Sequence, residues 1–193
     1  MTILILIVTV ILSYYCFSND RLLNKLILYP YRMNGFGDSY RLLTSSFIHA
    51  DSMHLIFNMM TLFFFGGYIE KAIGGNHFIA MYLLSGVLSS VPSYIKHKQN
   101  PHFASLGASG AVSAIVFAMI YLQPWAKILV FFIPVPAIIY GVLFVGYSWY
   151  MGKKGSQGIN HDAHLWGAVC GFMYMFMIDP SKGKYFIDQL VNF

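Results

Sequence analysis

Charged side chains are scarce in this sequence: only 10% of its 193 residues are Asp, Glu, Lys or Arg, whereas 58% are hydrophobic. Such a composition excludes a soluble domain of ordinary kind. The 12 basic residues outnumber the 7 acidic ones, but they are scattered and do not form the cluster that a nucleic-acid surface needs. The composition therefore predicts a polytopic membrane protein whose basic residues contact lipid headgroups.

Cysteine is nearly absent as well. The two cysteines, Cys16 and Cys170, both lie within apolar runs, so we interpret them as packing residues and not as the disulfide framework of a secreted protein. The first apolar run, residues 2–17, has neither the basic start nor the small-residue cleavage site of a signal peptide. We expect it to be the first membrane span.

Long polar stretches are missing, and most connections between the apolar runs are short. Six runs lie near residues 2–17, 53–69, 77–95, 107–122, 126–150 and 163–178. Each should be helical, because a helix satisfies its own backbone hydrogen bonds in lipid. The sequence thus predicts an all-α, six-transmembrane-helix bundle over residues 1–193, a single domain without a separate soluble part. Residues 18–52 form a long interfacial first loop, and residues 179–193 form a short tail.

The basic residues leave the orientation of this bundle open. Loops after helices 1, 3 and 5 carry eight of the twelve Lys and Arg residues, and the opposite face carries four. The positive-inside rule would place the more basic face in the cytoplasm. Four of the eight lie in the first loop, however, where headgroup binding explains them equally well.

Polar side chains gather at the starts of three predicted helices. Helices 2, 4 and 6 of an antiparallel bundle begin at the same membrane face, and there the chain carries His54, Asn58, Ser109 and His164. Polar residues inside a membrane are costly and are commonly functional. Ser109 is the candidate nucleophile and His164 the candidate general base of an acyl-transfer reaction. His54, Asn58 and the Ser109 backbone N–H are candidate donors to an oxyanion, although interhelical hydrogen bonding is the alternative role of the first two.

Small residues line the predicted contact between helices 4 and 6. They are Gly107 and Gly110 on the first helix and Gly167 and Gly171 on the second. Such faces let two helices approach closely enough for a short serine side chain to meet a histidine. A GASG segment alone is commonly a packing motif, so the coincidence of polar residues at one depth is what indicates a site.

A carboxylate partner for the base and a metal ion are both disfavoured. Glu70 is sixteen residues beyond the histidine of helix 2, about 24 Å along a helix, and Asp162 points to another face than His164. No HExxH motif is present, so we expect neither a metal nor another cofactor. We interpret His49 and His161 as wetted loop residues or as outer partners of the site.

Three motifs occur together in the order HLIFN, GASG and AHLWGAVCG. They match the HxxxN, GxSG and AHxxGxxxG patterns of the rhomboid family of intramembrane serine proteases, which the chain resembles over nearly its whole length. The pair Tyr40–Arg41 resembles the WR of the family's first loop, and GGYIEKAIGG resembles its segment at the end of helix 2.

The resemblance implies a Ser109–His164 dyad in a water-filled cavity that opens to the extracytoplasmic side. It implies a serine endopeptidase that cuts transmembrane segments of other membrane proteins within the lipid bilayer, with no cofactor and no nucleic-acid partner. The N-terminus would be cytoplasmic, and the first span would begin the chain directly. We expect a location in a bacterial cytoplasmic membrane.

One departure from the family bears on the base. Many members carry an aromatic residue four positions after the nucleophile, where it stacks on the base histidine, but this chain has Ser113 there. We therefore expect His164 to be oriented through Ser113 or a water. The departure leaves open a rhomboid-like protein that binds transmembrane helices without cutting them. A small permease is a third interpretation, disfavoured because no buried acidic residue or interrupted helix pair is evident.

Two prolines, Pro134 and Pro136, fall within the predicted helix 5. They predict a kink, because proline lacks a backbone donor and clashes with the preceding turn. The kink is either a tolerated bend or a hinge that admits substrate from the side, a role that the family resemblance suggests.

Overall fold

The computed structural model describes residues 1–130, 132–155 and 158–191. Within these ranges the chain forms the following helices: α1 (Thr2–Phe17), α2 (Asp20–Leu26), α3 (Arg41–Thr44), α4 (Ser52–Ile73), α5 (Gly75–His97), α6 (Ser109–Leu122), α7 (Ala137–Lys154), α8 (His161–Ile178) and α9 (Ser181–Val191). Two strands, β1 (Lys127–Val130) and β2 (Ile133–Pro136), pair as an antiparallel hairpin. Three short 3-10 turns cover Pro30–Arg32, Phe36–Asp38 and Ser45–Phe47.

Helix α6 is the centre of the bundle and carries the GASG segment at its start. It packs against α4, α5 and α8, and twelve of its fourteen residues are buried. A helix that is apolar on all sides can be surrounded by protein or by lipid. The contacts of α6 show that protein surrounds it.

The helices form a membrane helical bundle. By length and composition, α4 and α5 each suffice to cross a bilayer, and α1 and α6 are apolar but shorter. The number of six membrane spans stays a prediction.

The first loop is an ordered segment that includes α2 and α3. The guanidinium group of Arg41 donates to the carbonyl oxygens of Asn24 (2.7 Å) and Ile27 (3.1 Å). The hydroxyl of Tyr40 donates to the carbonyl oxygen of Lys25 at 3.0 Å. These two neighbours thus fasten α3 to the end of α2.

The prediction of one helix over residues 126–150 is wrong at its start. Residues 127–130 and 133–136 form the strands β1 and β2 of the hairpin, and α7 begins only at Ala137. Pro134 and Pro136 lie in β2, where they disfavour helical conformation in the residues that precede them. The predicted kink is wrong for the same reason, because α7 starts after both prolines.

The predicted short tail contains a further helix, α9. Its Phe186 is buried, and its ring stacks on Tyr121 at 5.8 Å and meets Phe172 edge-on at 5.3 Å. This contact docks α9 against the far end of α6. Residues 192 and 193 of the predicted tail lie outside the described residues.

Candidate active site

The glycines predicted to line the contact between α6 and α8 lie at that contact. A Cβ atom on Gly167 would overlap the carbonyl oxygen of Gly110, and one on Gly171 would overlap the carbonyl oxygen of Ala114 and lie 2.5 Å from its Cα. Any side chain at either position would push the two backbones apart. The start of α8 is therefore held directly against the start of α6.

The residues just before Ser109 are held by the first loop. Leu28 and Ser105 exchange two backbone hydrogen bonds of 3.1 and 2.9 Å, and the N–H of Gly107 donates to the carbonyl oxygen of Ser45 at 2.9 Å. These bonds join the backbone of a distant segment to the turn that leads into α6. They therefore hold the turn in place without any side chain.

His49 adds a third attachment to this turn. Its Nε2 accepts the backbone N–H of Ala108 at 3.2 Å, so its Nδ1 carries the proton and donates to the Ser13 hydroxyl at 3.0 Å. That hydroxyl in turn donates to the carbonyl oxygen of Phe47 at 3.4 Å. His49 is 1% exposed, and burial, with a smaller contribution from the nearby His54, lowers its pKa to about 3. Its interpretation as a wetted loop residue is wrong.

Gly107 brings His54 against the GASG turn. Gly107 has φ +121°, and a Cβ atom there would lie 2.5 Å from Cε1 and 2.7 Å from Nε2 of His54. Only glycine satisfies both the backbone angle and the lack of space. Asp51 caps α4 by accepting the His54 N–H at 2.8 Å, and the imidazole is half-buried beside the backbone that precedes Ser109.

The predicted oxyanion donors differ in their availability. The N–H of Val112 donates to the Ala108 carbonyl oxygen, so the N–H of Ser109 belongs to the first turn and has no intrahelical acceptor. The side-chain amide of Asn58 donates to the carbonyl oxygen of His54 at 2.9 Å. In this structure Asn58 is thus engaged by its own helix, whereas the His54 ring and the Ser109 N–H lie beside the same turn.

Asn160 fastens the start of α8 and was not singled out from the sequence. Its Oδ1 accepts the N–H of Ala163 (3.1 Å) and the hydroxyl of Ser93 (2.9 Å). Its Nδ2 donates to the hydroxyl of Ser105 at 2.9 Å. One amide therefore caps α8 and ties it to α5 and to the segment before Ser109. The sequence did contain a signal for this role, because asparagine is a favoured N-cap residue.

Aromatic rings surround His164. The ring of Phe144 on α7 stacks on it at 5.8 Å between centroids and 21° between planes, and His161 meets it edge-on at 5.7 Å. His161 is 4% exposed, and its interpretation as a wetted residue is wrong. No hydrogen bond joins Ser113 to His164 in the described part of the chain. Phe144 carried no sequence signal, since it is one of 17 phenylalanines.

Ser109, His54 and His164 are each half-buried and so remain within reach of water. The carbonyl oxygen of Ala163 lies 3.4 Å from the Cβ position of Gly110, which places the first turns of α8 and α6 side by side. Among the described residues the Ser109 hydroxyl and the His164 ring form no hydrogen bond. Such bonds are commonly long in unliganded enzymes and tighten with substrate.

The two acidic residues considered at the sequence level are both paired elsewhere. Glu70 accepts two hydrogen bonds of 2.8 Å from the backbone N–H and hydroxyl of Thr2, and Asp162 pairs with Lys96 at 2.7 Å. Within residues 1–130, 132–155 and 158–191, no three His, Cys, Asp or Glu side chains form a group that could hold a metal ion.

The fold and the site together define a class of protein. It is a helical membrane protein with a serine and two histidines at one end of its bundle. The family model described as the Rhomboid domain matches residues 37–181. The chain belongs to the rhomboid family, which confirms the resemblance drawn from the three motifs.

Curated relatives carry the same family name. The chain is 35% identical over 149 residues to RHOMBOID-like protein 12, mitochondrial, of Arabidopsis thaliana, an alignment that covers 69% of this chain and 44% of that protein. It is 30% identical over 146 residues to Rhomboid protein 1, mitochondrial, of Saccharomyces cerevisiae, covering 72% and 42%. It is 26% identical over 148 residues to the putative rhomboid protease YdcA of Bacillus subtilis, covering 77% and 71%. The chain spans less than half the length of the first two.

These relatives bear on location. The protein is a rhomboid-family membrane protein. Several relatives carry mitochondrial names, and one is bacterial. They do not support the expectation of a bacterial cytoplasmic membrane, which stays a prediction.

Proposed function

We propose that the protein is an intramembrane serine endopeptidase with Ser109 as nucleophile and His164 as general base. The observation that carries this proposal is the packing of three helix starts around one turn. Gly107 lies against the ring of His54, and the glycine contact between α6 and α8 sets Ala163, the neighbour of His164, against Gly110, the neighbour of Ser109. The family supports this function, because a putative protease is among the relatives.

The chemistry follows from these positions. The Ser109 oxygen attacks the carbonyl carbon of the scissile peptide bond while His164 takes the hydroxyl proton. The Ser109 N–H and the His54 ring stabilise the negative charge that develops on the carbonyl oxygen, and Asn58 contributes after its amide turns away from its own helix. His164 then protonates the leaving amine, and a water molecule, deprotonated by His164, hydrolyses the acyl-enzyme.

The substrate class and the topology belong to the same proposal. The spans are α1, α4, α5, α6, α7 and α8, and the substrate is a transmembrane segment of another membrane protein, unwound near its end. The cavity opens on the extracytoplasmic face, with a cytoplasmic N-terminus. This orientation runs against the distribution of basic residues, so the family resemblance is its support.

The test is labelling of the detergent-solubilised protein with a fluorophosphonate probe, which reacts with an activated serine. We expect the wild type to be labelled and both Ser109→Ala and His164→Ala to be unlabelled. Ser90→Ala is the matched serine control, since that hydroxyl donates to the carbonyl oxygen of Gly86 in its own helix. His102→Ala is the histidine control at an exposed position. Labelling in Ser109→Ala would overturn the assignment of the nucleophile.

A rhomboid-like protein that binds transmembrane helices without cutting them is the second candidate. It is favoured by Ser113, which stands where many family members carry an aromatic residue beside the base. A folded wild-type protein that fails to react with the probe would support this candidate. Labelling that persists in EDTA would separately show that no metal ion is needed.

A further inference from the structure

We propose that Phe144 of α7 is a positioning residue for His164 and fills the role for which Ser113 is too small. The inference rests on the proposed function, since His164 is there the general base. It concerns a residue on a different helix from the position where the family pattern places an aromatic side chain.

The contact itself has the geometry of an aromatic stack. The two ring centroids are 5.8 Å apart and the planes differ by 21°, within the range of offset stacking. No hydrogen bond holds the imidazole among the described residues. Its ring contacts there are with Phe144 on one face and with His161 along the edge.

Phe144 reaches the base because α7 packs against α6. A Cβ atom on Gly141 would lie 2.9 Å from the Cδ1 atom of Ile120 and 3.6 Å from the ring of Phe117, so α7 lies against α6 at this position. Phe144 follows Gly141 by three residues and faces the same way. Phe117 of α6 and Tyr140 of α7 hold its ring at centroid distances of 5.8 and 5.7 Å. The phenyl ring thus packs against two other aromatic rings besides the imidazole.

Ser113 leaves room for this arrangement. It lies one turn before Phe117 on the same face of α6 and is 7% exposed. Since Phe117 contacts Phe144, an aromatic side chain at position 113 would compete with Phe144 for the space beside His164. The small side chain of Ser113 on α6 therefore leaves the space beside His164 that the ring of Phe144 on α7 occupies.

The stack limits rotation of the imidazole and keeps one ring nitrogen directed toward Ser109. Loss of the phenyl ring should leave probe binding intact and slow proton transfer from the serine. We expect Phe144→Leu to lower the maximal rate of fluorophosphonate labelling about threefold to tenfold, the range that an aromatic pair contributes, with an unchanged half-saturating probe concentration. Phe144→Tyr should keep a rate close to that of the wild type, because it restores the ring.

The matched control is Phe63→Leu, the same substitution in α4. Phe63 is 58% exposed and contacts the ring of Phe64. We expect it to leave the labelling rate unchanged. A wild-type rate in a folded Phe144→Leu protein, or an equal loss in Phe144→Leu and Phe144→Tyr, would overturn the proposal.

A second readout does not depend on activity. In protein labelled with carbon-13 at histidine Cε1, the phenyl ring current should shift the His164 Hε1 resonance, which His164→Gln identifies among the seven histidines. We expect this resonance to move in Phe144→Leu and to stay near its wild-type position in Phe144→Tyr. An unmoved resonance in Phe144→Leu would show that the rings do not stack.

The two readouts separate this inference from the proposed function. A wild-type protein that is not labelled contradicts the proposed protease, and the shift of the His164 resonance still decides whether Phe144 orients the ring. A labelled wild type with an unaffected Phe144→Leu variant contradicts the positioning role alone.

Discussion

The ring of His49 uses both of its nitrogens inside the protein. One nitrogen accepts the backbone N–H of Ala108, and the other donates to Ser13. A protonated ring could not accept from Ala108, so the folded state holds the neutral form. The residue that fixes the turn before Ser109 is thus also a source of acid sensitivity.

The free energy of unfolding should fall as the pH is lowered between the two pKa values of His49, that of the unfolded chain and that of the folded protein. Its pKa is lowered to about 3 in the folded state from 6.5, so between these values the unfolded chain binds a proton that the folded protein does not. The free energy of unfolding therefore rises with pH in this window, and His49 alone should cost about 2 kcal/mol at pH 5 relative to pH 7.5. Denaturant unfolding in mild detergent at the two pH values measures this difference.

The variant that isolates this contribution is His49→Gln, which offers an amide oxygen to Ala108 and does not titrate. We expect its stability to change less between pH 7.5 and pH 5 than that of the wild type. His102→Gln, at an exposed position, should keep the wild-type pH dependence. Equal pH dependence in both variants would contradict the role assigned to His49.

At the scale of elements, the pair α6 and α8 carries both halves of the proposed dyad. The two helices touch through backbone at Gly167 and Gly171, where the atoms that a side chain would meet are carbonyl oxygens and Cα atoms. Backbone cannot rotate away as a flexible side chain can. The distance between the two helices is therefore sensitive to a single methyl group.

Gly171→Ala should destabilise the protein by about 1 to 3 kcal/mol, the usual cost of overpacking, and should lower fluorophosphonate labelling because it moves His164 away from Ser109. Thermal unfolding and labelling rate measure the two effects. Gly146→Ala on α7 is the matched control, since no atom lies within 4 Å of a Cβ there. It should be neutral or stabilise slightly, by up to about 1 kcal/mol, because alanine is the better helix former. Similar effects of both substitutions would contradict the close packing of α6 on α8.

For the whole molecule, the proposed topology places the first loop and the β1–β2 hairpin on opposite sides of the membrane. Phe36 in the first loop is 98% exposed, and Lys127 in β1 is also exposed. With Cys16 and Cys170 replaced by serine, Phe36→Cys and Lys127→Cys should therefore react with a membrane-impermeant maleimide from opposite sides of sealed vesicles. Modification of both from the same side would contradict the six-span arrangement, and the side that labels Phe36→Cys would give the orientation.

Much of the architecture could be predicted from the sequence, because hydrophobic run length depends on local composition. The observed helix α1 (Thr2–Phe17) has the bounds of the first apolar run, and α4, α5, α6 and α8 lie within a few residues of theirs. The hairpin was mispredicted, because apolar residues around Pro134 and Pro136 have the hydropathy of a span without its backbone conformation. The family also followed from short motifs, since chemistry requires particular residue types at particular spacings.

By itself the sequence determined which side chains are available for the proposed catalysis and which helix starts carry them. Only the tertiary structure decided what holds them in place. His49 bonds Ala108, Asn160 bonds Ser93 and Ser105, and Phe144 stacks on His164, in each case from a segment that is distant in the chain. Their contacts arise where α1, α5, α7 and the first loop meet around α6. Hydropathy and motif spacing describe neighbours along the chain, so neither can show which distant ring will lie against His164 in place of the aromatic side chain that Ser113 lacks.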